Sequence, residues 1–386
     1  MRLAIVASHP VQYYAPLFRA LAQRLDLQVL YAHRATSDDQ ARAGFGVEFE
    51  WDTDLLSGYE YLFLRNVSTQ PGVHHFFGCD TPEIRQRLSE EKFDAVMVQG
   101  WHLKCYIQTV FSAKVQGLPL LVRGDSHLNT PRTIFKRVLK AGIFPAFLRL
   151  FDGALYVGTQ SRDYWIHYKY PQERLFYSPH CIDTKWFSAH ATIDARREVR
   201  ERLKIVPSTK VVLFAGKLVS FKRPLDVLNA VALLKARNRE MEIVVAGAGV
   251  LQEEMRGVAD AAGIKVHFLG FCNQTEMPKI YAASDVLVLP SDGRETWGLV
   301  ANEAIACGRP VILADGVGSA KDIAGDSVAG RIFPVGNIAA LAQRLDEIVQ
   351  TPPALHLIEK KSNEHSISAA VAGIEAAVQS VSRGCN

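Results

Sequence analysis

The chain reads as an α/β protein made of two Rossmann-like, doubly wound domains that face each other across a cleft. Short apolar runs ending in glycine or a polar loop alternate with helical patterns from end to end, as parallel sheets with crossover helices require. At 386 residues, 48 % of them hydrophobic, the chain is too long for one ordinary core and apolar enough for two. No internal repeat, low-complexity tract or heptad pattern offers a competing architecture.

The first half opens on a strand over Arg2–Ser8, a turn at His9–Gln12, a helix from Tyr14 to Arg24 and a second strand from Leu27 to Ala32. Asp94–Val98 and Leu118–Val122 are buried-strand candidates, each followed by a polar loop. Between Thr130 and Phe151 stand Arg132, Lys136, Arg137, Lys140 and Arg149, with no acid, among apolar Ile134, Phe135, Val138, Leu139, Ile143, Phe144, Phe147 and Leu148. That composition suits a helix lying on an anionic membrane surface. It equally suits an amphipathic helix packed on its own domain with a solvated basic face. With a net charge of only +4 and no apolar run of spanning length, any such contact is peripheral. Nucleic acid is the weaker partner, because no aromatics interleave with the basic residues on a recognised module.

A charged helix, Ala195–Leu203, marks the passage between domains, around Cys181 to Pro207. The expected units are 1–188, 189–363 and a C-terminal segment, 364–386, with an Ala-rich helix from about Ser366 to Val381. Cysteines 79, 105, 181, 272, 307 and 385 are scattered singly, and the N-terminus starts on a strand without a secretion signal. A reduced, cytoplasmic setting is the expectation. His74–His75 lacks partners at metal-ligand spacing, so no metal is expected.

The second half carries the chemistry. Val211–Gly216 predicts a strand ending in glycine, followed by Lys217, Lys222 and Arg223 and an amphipathic helix. Lysines in loops are usually only solvated, but cations after a strand-terminating glycine also suit a diphosphate. Met241–Gly247 is a third strand that ends in glycine, and Gly247 and Gly249 permit close approach of a nucleotide to the backbone. The third glycine of a dinucleotide fingerprint is missing, so NAD is disfavoured. Glu295 and Glu303, seven residues apart, lie between the apolar runs Asp285–Pro290 and Pro310–Ala314. Thr296 and Gly298 can open a helix there, and Gly308 and Pro310 stop it. The pair is either a solvated flank of an ordinary helix start or a grip on vicinal hydroxyls, with the amides of Thr296, Trp297, Gly298 and Leu299 beside a diphosphate.

These stretches resemble the retaining glycosyltransferases of family 4, which have the GT-B fold. GKLVSFK, VAGAG, VHFLGF, VLPS and Glu-x7-Glu with NEAIACGRPVI follow one another in the family's order, and LFYSPHCIDTKWF is similar to its interdomain segment. The resemblance implies an acceptor-binding first domain, a second domain that binds a nucleoside diphosphate sugar, and a C-terminal helix that crosses back onto the first. It implies that Lys217, standing where the family usually has Arg, and Lys222 hold the donor diphosphate near Gly216. Glu303 would bind the ribose and Glu295 the donor sugar, with the base near Gly247 to Val250 and Phe271–Cys272. Lys for Arg at 217 keeps the charge and loses the bidentate fork. The family's His after the fifth strand falls on Asp125 or His127, either of which could also be a structural loop residue. His9 and His102, like His127, each follow a first-domain strand and are cleft candidates, and the first turn carries His9–Pro10 and Gln12 in place of the family's usual pair of glycines.

The implied activity is metal-independent transfer of a hexose-type sugar, with retention, to a saccharide or lipid-linked acceptor, in bacterial surface polysaccharide or glycolipid synthesis. No bound cofactor is expected beyond the donor itself. A nucleotide-sugar 2-epimerase of the same fold and a non-catalytic nucleotide-sugar-binding subunit are the alternatives. The expected location is the cytoplasm, at the inner face of the cell membrane if the basic segment makes contact.

Overall fold

The computed structural model describes residues 1–41 and 47–383. Cys385, the end of the expected C-terminal segment and the side chain of Lys136 lie outside the described residues.

Seven strands form the first sheet: β1 (Arg2–Ala7), β2 (Asp26–Tyr31), β3 (Glu60–Phe63), β4 (Ala95–Val98), β5 (Leu120–Gly124), β6 (Gly153–Tyr156) and β7 (Leu175–Tyr177). Their order is β3-β2-β1-β4-β5-β6-β7, and each neighbouring pair is parallel. The second sheet holds β8 (Lys210–Ala215), β9 (Met241–Ala246), β10 (Val266–Gly270), β11 (Val286–Leu289), β12 (Val311–Ala314) and β13 (Gly330–Phe333). It runs β10-β9-β8-β11-β12-β13, again all parallel. Both sheets therefore reverse their winding once, between β1 and β4 and between β8 and β11. That reversal opens a crevice at the carboxyl ends of the strands.

The side-chain alternation of β1 explains why its sequence is apolar at every position. Leu3, Ile5 and Ala7 enter one core with Phe18 and Ile374, while Ala4 and Val6 enter the other with Tyr106 and Trp165. A parallel strand buried on both faces cannot show a polar alternate. The second sheet is enclosed in the same way by a separate core centred on Leu213, Val244, Val288 and Ile312.

The chain crosses between the halves earlier than the expected division at 188/189. That line cuts the helix Thr184–His190, whose Phe187 is fully buried in the second core together with Ile182. The next helix, Ile193–Arg202, is bolted to the same half: Arg196 and Arg200 each donate to the Asp285 carboxylate at 2.9 Å. Asp285 also accepts the backbone N–H of Val211 at 2.8 Å, so one carboxylate ties that helix to the start of β8.

The last helix, Ile367–Arg383, returns to the first domain and lies over β6 and β7 beside the helix Tyr14–Ala22. Its approach to β7 is so close that a Cβ at Gly373 would stand 1.8 Å from the Tyr177 carbonyl oxygen. Ser178 Oγ donates to the Ala370 carbonyl at 3.0 Å, and Arg24 pairs with Glu375 at 3.0 Å.

The two halves are clasped at several points. Thr159 donates its N–H and hydroxyl to Asp322 at 2.9 and 2.8 Å, and Gln160 Nε2 donates to the Val317 carbonyl at 3.2 Å. A strap from the β2–β3 connection reaches over to the loop after β10. The Phe49 and Phe271 rings lie 4.0 Å apart in a tilted stack, Asn273 Nδ2 donates to the Glu50 carbonyl at 2.8 Å, and Thr275 N–H donates to Asp52 at 3.1 Å.

Candidate active site

A cavity of about 360 Å³ opens at the winding reversal of the second sheet, between the two domains, at the small end of the range for ligand sites. Its floor is formed by Ala215–Lys217 after β8 and Ala246–Ala248 after β9; Phe221 and Lys222, Val300 and Glu303 form one side. Gln12, Tyr13 and Trp51 close it from the first domain, and Phe271, Cys272, Gln274 and Met277 from the β10 side.

Gly247 is glycine for a reason the sequence could not show. Its φ is +144°, and a Cβ there would meet the Gly216 carbonyl oxygen at 2.0 Å. The backbones of the two strand ends touch, and only glycine allows it. Gly249 similarly lies against the Leu218 backbone and does not line the cavity, so the two glycines shape the floor rather than both facing a ligand.

Glu303 is 3 % exposed on the helix Val300–Ala306. Tyr13 Oη donates to its Oε1 at 2.9 Å and Tyr281 Oη to its Oε2 at 2.6 Å. Burial pushes the Glu303 carboxyl up to about 7, and the two tyrosine hydroxyls keep it from rising further. Glu295 is held differently: its Oε2 pairs with the Lys222 ammonium and accepts the Ser291 hydroxyl at 3.1 Å. Burial draws the Lys217 ammonium below its usual range, the charge of Lys222 adds to the fall, and Glu295 opposes it. Two cations and the Glu303 carboxylate thus line one cavity, with Glu295 paired to Lys222 behind it.

The helix that follows starts later than Thr296 or Gly298. Gly298 adopts φ +88°, outside helical space, so the first helical residue is Val300 with Leu299 as its cap. Gly308, at φ +69°, ends it as expected. Trp297 points away from the cavity: its indole N–H donates to Asn302 Oδ1 at 2.9 Å, and the ring packs on His180. Thr296 turns toward the first domain and donates to Asp125 Oδ2 at 2.7 Å.

Lys217, Lys222, Gly216, Gly247, Phe271 and Glu303 are brought together, with Glu295 joined to them through Lys222. Gly249, Thr296, Trp297, Gly298 and Leu299 do not line this cavity, and neither do Asp125 and His127. Burial would raise the Asp125 carboxyl, but His180, 3.6 Å away, and the Thr296 hydroxyl hold it below the usual carboxylate range. Asp125 therefore works as an interdomain tie in this structure. His127 is buried, with Nδ1 accepting the Asn129 N–H at 3.2 Å. His9 bonds Ser8 Oγ at 3.0 Å and is drawn down to about 4, chiefly by burial, then by His33, whereas the His102 ring packs on Tyr106. Sequence reasoning missed Tyr13, Trp51 and Tyr281. Only Tyr13 left a signal, as the neighbour of Gln12 in a first turn that lacks glycines.

Two doubly wound domains with a charged crevice at the carboxyl ends of the second sheet define a GT-B architecture. HepE of Anabaena, solved in complex with UDP, superposes with a TM-score of 0.74 at 16 % identity, covering 98 % of this chain and 100 % of that one. A glycosyltransferase from Rickettsia africae superposes at 0.73 with 14 % identity over 98 % of both chains. Residues 195–365 match the family model for glycosyl transferases group 1, so the matched part holds Lys217, Lys222, Glu295 and Glu303 and most of the second domain, while Gln12, Tyr13 and Trp51 lie outside it. The D-inositol 3-phosphate glycosyltransferase of Streptomyces bingchenggensis is 34 % identical over 184 residues, 45 % of this chain and 40 % of that protein. The enzyme of that name from an Arthrobacter species is 26 % identical over 299 residues, 73 % and 68 % of the two chains. For the first of these the chain spans less than half of the relative's length.

Proposed function

We propose that the protein is a glycosyltransferase that moves a hexose-type sugar from a nucleoside diphosphate donor to a saccharide or lipid-linked acceptor, with retention and without a metal ion. The observation that carries this reading is the convergence of Lys217, Lys222 and Glu303 on one cavity at the switch point of the donor-side sheet. Each oxygen of Glu303 accepts one tyrosine hydroxyl and has a further lone pair for a ribose hydroxyl. Lys217 and Lys222 supply the charge that a departing diphosphate needs, and stabilising that departure supplies most of the catalysis. No carboxylate has to act as nucleophile. When the diphosphate takes the Lys222 ammonium, Glu295 is released to accept a hydroxyl of the transferred sugar. A role in surface polysaccharide or glycolipid synthesis belongs to the same proposal, as does acceptor entry from the side of Asp125 and His127.

Incubation with UDP-, GDP- and ADP-sugars tests the reading, with UDP-sugars first because the HepE neighbour was solved with UDP. Slow hydrolysis of one donor, accelerated by an added acceptor, is the expected result. An epimerised donor points instead to the 2-epimerase, and binding without turnover to a non-catalytic subunit. Lys222→Ala is expected to slow turnover by about 10²- to 10³-fold, the loss typical of one removed charge-stabilising donor, with a smaller change in KM. Wild-type turnover in that variant removes Lys222 from the chemistry.

A further inference from the structure

The helix Ile134–Leu148 is apolar on its outward side as well as on the side packed against its own domain. Ile134, Phe135, Val138, Leu139 and Ile143 are between 51 % and 80 % exposed. At about 100° per residue they share one side of the helix with Gly142 and Ala146. The inward side holds Phe144 and Phe147, whose rings lie 5.9 and 6.2 Å from Trp101, and the fully buried Leu148.

Lys140 is also on the inward side. Its ammonium sits 4.1 Å from the Phe144 ring and 4.8 Å from the Tyr164 ring, a pair of cation–π contacts. This lysine is thus drawn to the inward side, while Arg137 and Arg149 stay exposed and large apolar side chains are presented outward. The described arginines of the segment are Arg132, Arg137 and Arg149, and no acid stands between Thr130 and Phe151. Among the described residues no helix is long and apolar enough to cross a membrane.

We propose that this face binds the surface of an anionic lipid bilayer, with Ile134, Phe135, Val138, Leu139 and Ile143 entering the acyl boundary and the arginines meeting the phosphates. An exposed apolar stripe on a segment that carries arginines and no acid has the chemistry of an interfacial helix. A second copy of the chain is a poorer occupant, because a twofold contact through the same face would oppose one arginine set to the other. The helix also follows the loop 125–130, where the Asn129 carbonyl presses against Gly293. Docking would therefore set the mouth of the interdomain crevice beside the lipid.

Flotation with phosphatidylcholine vesicles carrying about 30 mol % phosphatidylglycerol, against phosphatidylcholine alone, tests this. The wild-type chain is expected to float with the anionic vesicles, at least about tenfold less with the neutral ones, and less at high salt. Phe135→Glu combined with Val138→Glu should abolish flotation, and Arg137→Glu should weaken it. Both substituted apolar side chains are exposed, so nucleotide binding and the far-UV circular dichroism spectrum should remain those of the wild type. Three outcomes overturn the proposal: no flotation of the wild type, undiminished flotation of the double variant, or a dimer in sedimentation that the double variant splits while neither protein floats.

Discussion

Glu303 combines near-complete burial with two tyrosine donors, so its protonation state bears directly on what it can hold. Its carboxyl, raised to about 7 by burial, stands above the unfolded value. The sign follows: the neutral acid suits the folded protein at low pH, and that contribution is lost as pH rises through about 7. Ligand recognition runs the other way, since a ribose diol donates and an ionised carboxylate accepts best. Affinity for a nucleotide sugar, measured by calorimetry, should rise about tenfold between pH 6 and pH 8, the change in ionised fraction for a group at about 7. A nucleotide sugar is the right probe, because a terminal phosphate itself titrates near 6. In Glu303→Gln the affinity should be lower and flat with pH; an unchanged slope in that variant would assign the titration elsewhere. A glutamate inside a helix is ordinary, and this carboxylate was legible in the sequence only through the company of Lys217, Lys222 and the strand-ending glycines upstream. Tyr13 and Tyr281 were not, since tyrosines in helical and loop patterns look like any core aromatic until the fold brings residues separated by 290 and 22 positions together.

At the scale of elements, the buried strands β1, β2, β4, β5, β8, β9, β11 and β12 announce themselves as apolar runs, even where, as in β4, β11 and β12, they have only four residues. The strands β3, β6, β7 and β13 are as short but include Glu60, Gly153, Tyr177 and Gly330–Arg331, so no unbroken aliphatic run marks them, and β10 is recognisable only as part of a motif. The start of the helix Val300–Ala306 was misjudged because Gly298 can open a helix or turn the chain ahead of one, and its φ decides. The C-terminal helix invites a sharper test. Alanine is intrinsically better than glycine inside a helix by about 1 kcal/mol, so propensity alone predicts that Gly373→Ala stabilises the chain. The Tyr177 carbonyl oxygen 1.8 Å from the added Cβ makes the net effect opposite. The helix has to slide off β7, and destabilisation of about 1 to 3 kcal/mol is expected, as for other overpacked sites. A urea titration reads the difference, and a raised midpoint would mean that the helix does not bear on β7 as described.

At the scale of the whole molecule, the two-domain plan was legible from length, apolar content and the alternation of elements, and the clasp between the halves was not. Its residues, Thr159, Asp322, Asn129, Thr275 and Asp52 among them, are small polar residues of loops and short helices with no pattern of their own. They gain meaning only when two sheets are set face to face. The strap that stacks Phe49 on Phe271 and lines the cavity with Trp51 has a kinetic consequence. The strap's contacts with the second domain lie along one side of the proposed nucleotide site, so entry from that side waits for the strap to move rather than for the encounter. Followed through Trp51 fluorescence after rapid mixing, the observed binding rate should level off as nucleotide concentration rises, at the rate of spontaneous opening. In Phe49→Ala the plateau should lift at least severalfold. A rate that climbs linearly in both proteins would mean the strap stands aside from the path, and that traffic through the cleft is set by diffusion alone.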